Sequence, residues 1–208
     1  MKQIVTLEQV TKVVLKVNNW CDARYKQEYS HTLSKKLLEE ERGELFVALY
    51  SGYPVTTQHV IGRLDAIGDT TFVIIGILWK MKIDIKDVET LFYLLFNSRN
   101  IDECNQACRA FKQKVKKYYV LSRQKESMII CACTQLVTNA HILMHHYLFC
   151  AYIDILNAIC VSNDTKDVPS EKVDSNKKAN IVKGKNYIPP TNDILAIMQK
   201  FNVRGQNE

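Results

Sequence analysis

The sequence predicts an all-α helical bundle, and three observations carry that expectation. Gly and Pro number only seven and four in 208 residues, too few for the many turns of an all-β chain. Apolar residues recur three and four positions apart over long segments, the spacing of one helix face. Apolar residues make up 47% and charged residues 24% of the chain, the balance of an ordinary globular protein with one well-filled core.

The elements follow in order. Val10, Val13, Val14 and Val17 place a first helix over about Leu7 to Asn19; its valine content means packing, not propensity, must hold it. A second helix runs from about Ser30 to Tyr50 and stops at Ser51-Gly52-Tyr53-Pro54. A third, about Thr57 to Met81, is apolar almost all round, as a helix buried in a bundle should be. Asp87 to Phe96, Asp102 to Tyr119 and Glu126 to Val161 read as further helices, broken at Asn97–Asn100 and more weakly at Ser122–Lys125. Ser162 to Asn186 is polar and reads as a long loop, of the kind that often serves as a lid or binding loop. After Pro189-Pro190, Thr191 or Asn192 caps a short closing helix carrying Ile194, Leu195, Ile197 and Met198.

No basic-then-apolar signal pattern opens the chain, and no apolar run is expected to reach membrane-spanning length. Seven cysteines, an odd number, argue against a disulfide framework. A cytosolic protein is therefore expected. The net charge of +6 equals the contribution of Lys112, Lys114, Lys116, Lys117, Arg123 and Lys125, which form either a polyanion-binding patch or a solvated helix face.

The second and third helices carry acids where apolar residues belong. On a helical wheel Leu37, Leu38, Leu45, Ala48 and Leu49 form the buried stripe of the second helix. Glu41 falls within it, Glu44 on its edge, Glu40 one step further out, and Glu39 toward solvent. On the third helix Asp65 and Asp69 lie one turn apart on a face otherwise lined by Gly62, Ala66, Val73 and Gly76. Gly62, Gly68 and Gly76 stand in this helix despite their cost there, so something besides helix stability selects them. Buried acids need a positive partner. Either Arg42 and Arg63 supply it, or a hard divalent cation does, Mg²⁺ or Mn²⁺ being suited to oxygen ligands.

These residues resemble a known family. Lys36-Leu37-Leu38-Glu39-Glu40-Glu41-Arg42-Gly43-Glu44-Leu45 is similar to the first motif of MazG-like nucleoside triphosphate pyrophosphohydrolases. Leu64-Asp65-Ala66-Ile67-Gly68-Asp69, followed by Val73-Ile74-Ile75-Gly76, resembles the second motif of phage-type members. The general form has Glu where Ala66 stands, so Asp65 is the expected substitute. Ser162-Asn163-Asp164-Thr165-Lys166 and Lys183-Gly184-Lys185-Asn186-Tyr187-Ile188-Pro189-Pro190 resemble the family's later segments. The resemblance covers roughly half to two-thirds of the chain and leaves about Lys82 to Lys125 without a counterpart.

The resemblance implies a single domain over 1–208 with core helices at 7–81 and 126–161. Helices at about 82–125 are inserted, and a nucleotide-covering loop and closing helix occupy 162–208. It implies Mg²⁺-dependent hydrolysis of (deoxy)nucleoside triphosphates, or of a regulatory nucleotide, to monophosphate and pyrophosphate. Glu41, Glu44, Asp65 and Asp69 would hold the metal; Glu40 would bind a second metal or accept a proton from the attacking water. Lys36 would reach a phosphate or stay solvated. Asn163 and Lys166 would bind base, sugar or phosphate, and Lys183 and Tyr187 would close over the nucleotide, Tyr187 by stacking or as a packing anchor. A homodimer or homotetramer in the cytoplasm is implied, the host's if the chain is phage-encoded.

Other readings remain open. One is a helical nucleic-acid-binding or adaptor protein using Lys112–Lys125, with Tyr118 and Tyr119 for stacking. Another is a member that binds nucleotides without hydrolysing them. Cys131, Cys133, His141 and His145 allow a zinc site, but their apolar segment favours core residues.

Overall fold

Polar side chains set where several helices begin. Thr6 and Gln9 form a capping box, Gln9 N donating to Thr6 Oγ1 at 3.2 Å and Thr6 N to Gln9 Oε1 at 2.8 Å. Thr56 opens another helix with His59, and Asp84, Asn100 and Ser122 accept from the first turns of three more. A computed structural model describes residues 4–26, 28–50, 55–146, 148–169, 172 and 183–203. Among them are eight α-helices: α1 (Leu7–Arg24), α2 (His31–Tyr50), α3 (Thr57–Lys80), α4 (Ile85–Asn97), α5 (Ile101–Tyr118), α6 (Arg123–His145), α7 (Tyr152–Asp164) and α8 (Thr191–Lys200). A 3-10 turn, Phe149–Ala151, leads into α7, and no strand appears among the described residues.

Helix α3 is the central post, packed against α1, α2, α4, α6, α7 and α8. Its apolar girth explains this, since Leu64, Ile67, Ile74, Ile75 and Leu78 are all buried. Gly68 admits α7: a Cβ there would overlap the side chain of Ile159. A Cβ on Gly76 would meet Cys21 Sγ of α1 at 3.1 Å, whereas one on Gly62 would meet nothing. Close packing thus accounts for two of the three glycines. The α4–α5 hairpin packs on α1 and α6, and its Phe92, Phe96, Cys104 and Phe111 join the one core.

A buried polar network pins the middle of α3. Asn139 of α6 donates to Thr70 Oγ1 at 2.9 Å and Thr71 Oγ1 at 3.1 Å, and Gln135 donates to Asn139 Oδ1 at 2.8 Å. Tyr152 of α7 shares a 2.8 Å hydrogen bond with Thr71. Fully satisfied networks of this kind fix register.

Several expectations need correction. The first helix runs to Arg24, because the valine stripe continues through Cys21 and Arg24, both buried. The segment expected as one helix, Glu126 to Val161, is two: α6 starts earlier, on the Ser122 cap, and ends at His145. There Leu148 N donates to Leu143 O at 2.8 Å, a reversal made without Gly or Pro. Ser162 to Asp164 form the last turn of α7, so the long loop begins later. Neither Thr191 nor Asn192 caps α8; Pro190 precedes it and Thr191 is its first residue. By length and composition α6 alone among the described helices passes as a membrane span, contrary to expectation, although half of that stretch is buried in the bundle. The Ser51–Pro54 terminus and residues 170–171 and 173–182 of the loop lie outside the described residues.

Candidate functional site

The acid-bearing faces of α2 and α3 meet at the edge of a cavity of about 240 Å³. α3 contributes Asp69, Phe72, Val73, Gly76, Ile77 and Lys80, one continuous helical face. α2 contributes Ser34, Leu37 and Glu41, again at helical spacing. Trp20, Cys21 and Tyr25 close the side at the end of α1; Asn163, Lys166 and Lys183 close another. One end is therefore acidic with two lysines above it, and the walls beyond are aromatic and apolar.

Asp69 is the focus of the charged end. Burial pushes its carboxyl up to about 8; Asp65, Glu41 and Glu44 add to the rise, and Lys166 opposes it. Asp65, one turn earlier, is also raised by burial, with Lys166 and Lys183 opposing and Glu44 adding. All four acids therefore share one electrostatic neighbourhood. Asp69 makes no hydrogen bond or ion pair with the described residues.

Arg63 does not neutralise these acids. It is buried, its Nε donates to Ala48 O and its Nη2 to Leu49 O, both at 3.1 Å, closing the carbonyl end of α2. Arg42 is exposed and lies beside a different hollow, with His31, Lys35 and Ser127.

The remaining candidate residues divide. Glu41 is half-buried and lines the cavity, Glu40 is half-buried but does not line it, and Glu44, expected at the stripe's edge, is exposed. Lys36 is exposed and outside the cavity, since the cavity row on α2 is Ser34, Leu37 and Glu41. Asn163 is buried, and its backbone oxygen accepts from Trp20 Nε1 at 2.9 Å. Lys183 and Lys166 place their ammonium groups 4.8 and 5.9 Å from the ring centre of Tyr187. The returning segment is held to the end of α7 by Ile188 N, which donates to Thr165 Oγ1 at 2.9 Å.

All four acids offer hard oxygen donors, the chemistry that suits Mg²⁺ or Mn²⁺. Among the described residues, though, no three His, Cys, Asp or Glu stand together as a formed ligand set. The donor set thus fits a cation in chemistry and neighbourhood, while ligating distances are not formed. The same observation bears on zinc: Cys131, His141 and His145 are exposed rather than in the core, and only Cys133 is buried.

Trp20, Tyr25 and Lys80 are among the cavity residues that escaped the sequence reading. Trp20 and Tyr25 lay beyond the expected end of the first helix, although the valine stripe pointed there. Lys80 lay on the Asp69–Val73–Gly76 row, one turn further on. Arg24 supports this wall, its Nη2 donating to Lys166 O at 2.8 Å and its guanidinium 4.3 Å from the Trp20 ring centre. The chain matches no protein-family model, no curated protein and no solved structure.

Proposed function

We propose that the chain hydrolyses (deoxy)nucleoside triphosphates to monophosphate and pyrophosphate, with Mg²⁺ required and Mn²⁺ able to replace it. The observation that carries the reading is the half-buried Asp69, which with Glu41 lines a cavity that also holds Lys166 and Lys183, with Asp65 and Glu44 in the same electrostatic neighbourhood. Acid beside lysine suits a ligand that brings both a cation and phosphate. The aromatic and apolar walls suit a base and sugar.

Asp69 and Glu41 would hold the cation, assisted by Asp65 and Glu44. Bound there, Mg²⁺ supplies neutralisation of phosphate charge and a more acidic water. Glu40 would take the proton from the attacking water or hold a second ion. Lys166 and Lys183 would meet phosphate oxygens, with Tyr187 beneath them as their support. The expected self-association is supported by Phe46, Val47 and Tyr50, which stand exposed on α2, two of their rings 4.5 Å apart.

The basic α5 surface is a weaker candidate for nucleic acid. Tyr119 donates its hydroxyl to Asp87 at 2.7 Å and Lys114 pairs with the same carboxylate, so both are engaged. A panel of nucleoside triphosphates, assayed for pyrophosphate with and without Mg²⁺, tests the reading. Release only with Mg²⁺ or Mn²⁺, abolished by Glu41→Gln, is expected. No release with any of them, and salt-sensitive binding of nucleic acid indifferent to Mg²⁺, would overturn it.

A further inference from the structure

Among the described residues of the cavity, Lys80 is the one ammonium group for which the proposed chemistry has no use. It is only 6% exposed, yet it lines the cavity. It makes no hydrogen bond or ion pair with the described residues; its ammonium lies 4.2 Å from the ring centre of Tyr25. Burial lowers its pKa, and the group that acts against this is the thiol of Cys21, itself pushed up to about 12 and so protonated. Among the described residues no carboxylate answers this charge. An ammonium so little exposed gains from a well-placed acceptor, which a ligand carrying acceptor atoms in this cavity would supply.

Position narrows what that is. Asp69 and Lys80 lie on one face of α3, eleven residues apart, about 16 Å of helix rise. Lys80 lines the cavity more than two helix turns from Asp69, its ammonium over the Tyr25 ring. Between them lie Phe72, Val73, Gly76 and Ile77, with Trp20 opposite, its ring edge-on to Phe72 at 5.1 Å. A nucleotide with its phosphates at the acidic end would carry its base along these walls, and the base's far edge toward Lys80.

On the functional reading proposed above, we infer that Lys80 selects the nucleobase, admitting keto-edged bases and rejecting amino-edged ones. Lysine carries three donors and no acceptor. Guanine offers it O6 and N7, and uracil or thymine offers O4; the exocyclic amines of adenine and cytosine present a donor to a donor. The Tyr25 ring holds the ammonium in place without satisfying its hydrogen-bonding capacity.

Non-hydrolysable α,β-imido analogues of the four common deoxynucleotides and of deoxyuridine triphosphate, titrated calorimetrically into the full chain with Mg²⁺, test this. The wild type should bind the guanine, thymine or uracil analogue at least tenfold more tightly than the adenine and cytosine ones. Lys80→Met should bring the preference within about twofold, with helicity unchanged by circular dichroism. Lys80→Gln, whose amide can also accept, should gain affinity for the amino-edged bases. The wild-type preference needs no variant, so a misfolded Lys80→Met leaves the test intact. Equal binding of all bases with pyrophosphate still released from the parent nucleotides would overturn the base reading and leave the function standing. Binding of none, with no release, would overturn both. A preference for 3′-phosphorylated nucleotides whatever the base, lost in Lys80→Met, would make Lys80 an anion site and also overturn it.

Discussion

Arg63 of α3 donates its Nε to the carbonyl oxygen of Ala48 on α2 at 3.1 Å. With Nη2 on Leu49 O, the arginine nearest Asp65 and Asp69 in sequence is committed to the end of the neighbouring helix. Arg63→Met should therefore remove two hydrogen bonds to half-buried carbonyls and destabilise the fold by roughly 1–3 kcal/mol. Urea denaturation measures this, and Arg63→Lys should recover only part of the loss.

The Asp69 carboxyl holds its proton far above the ordinary value of 3.8, up to about 8, because desolvation and the neighbouring acids disfavour its charged form. The folded chain therefore binds a proton that the unfolded chain has released across that window. Its contribution to stability is fully present below about pH 4 and is lost as pH rises through about 8. Urea midpoints in EDTA should fall over this range, and Asp69→Asn should flatten the fall. Stabilisation by added Mg²⁺ should grow with pH, since cation and proton compete for the same oxygens.

Gly68 and Gly62 make a contrasting pair on one helix. Gly68→Ala drives a methyl into Ile159 and should cost about 1–3 kcal/mol through the α3–α7 contact. Gly62→Ala meets open space and should stabilise by up to about 1 kcal/mol through helix propensity. Thermal melts of the two variants decide it; equal effects would refute the packing account.

Phe46 is 61% and Tyr50 75% exposed on α2, stacked on each other rather than on the core. Phe46→Glu should shift the chain toward monomer in light scattering while leaving its helicity intact. An unchanged mass would remove this face as the contact between copies.

The bundle was legible because helix faces announce themselves: the valines of α1 and the apolar girth of α3 marked buried surfaces before any coordinates. Helix ends were less legible. The α6–α7 reversal and the turn after α3 use ordinary residues, Lys82 taking a φ of 61° where a glycine would have been the signal. At the site, Glu41, Asp65 and Asp69 were readable as acids on apolar faces. Lys36 takes the solvated of its two expected places, and Glu44 turns further out than the stripe's edge, because a one-step rotation on the wheel separates cavity from solvent and depends on how α2 leans on α3. Trp20 and Lys80 acquire meaning only when three helices and the end of α7 come together, which no single-segment pattern encodes.

Titration of the full chain with Mn²⁺, followed by electron paramagnetic resonance, asks most directly whether the acids of α2 and α3 serve one ion. Saturable binding of at least one Mn²⁺ per chain, weakened tenfold or more by Asp69→Asn and by Glu41→Gln alike, is the predicted result. Binding that neither substitution alters, or no binding at all at pH 8, would contradict it.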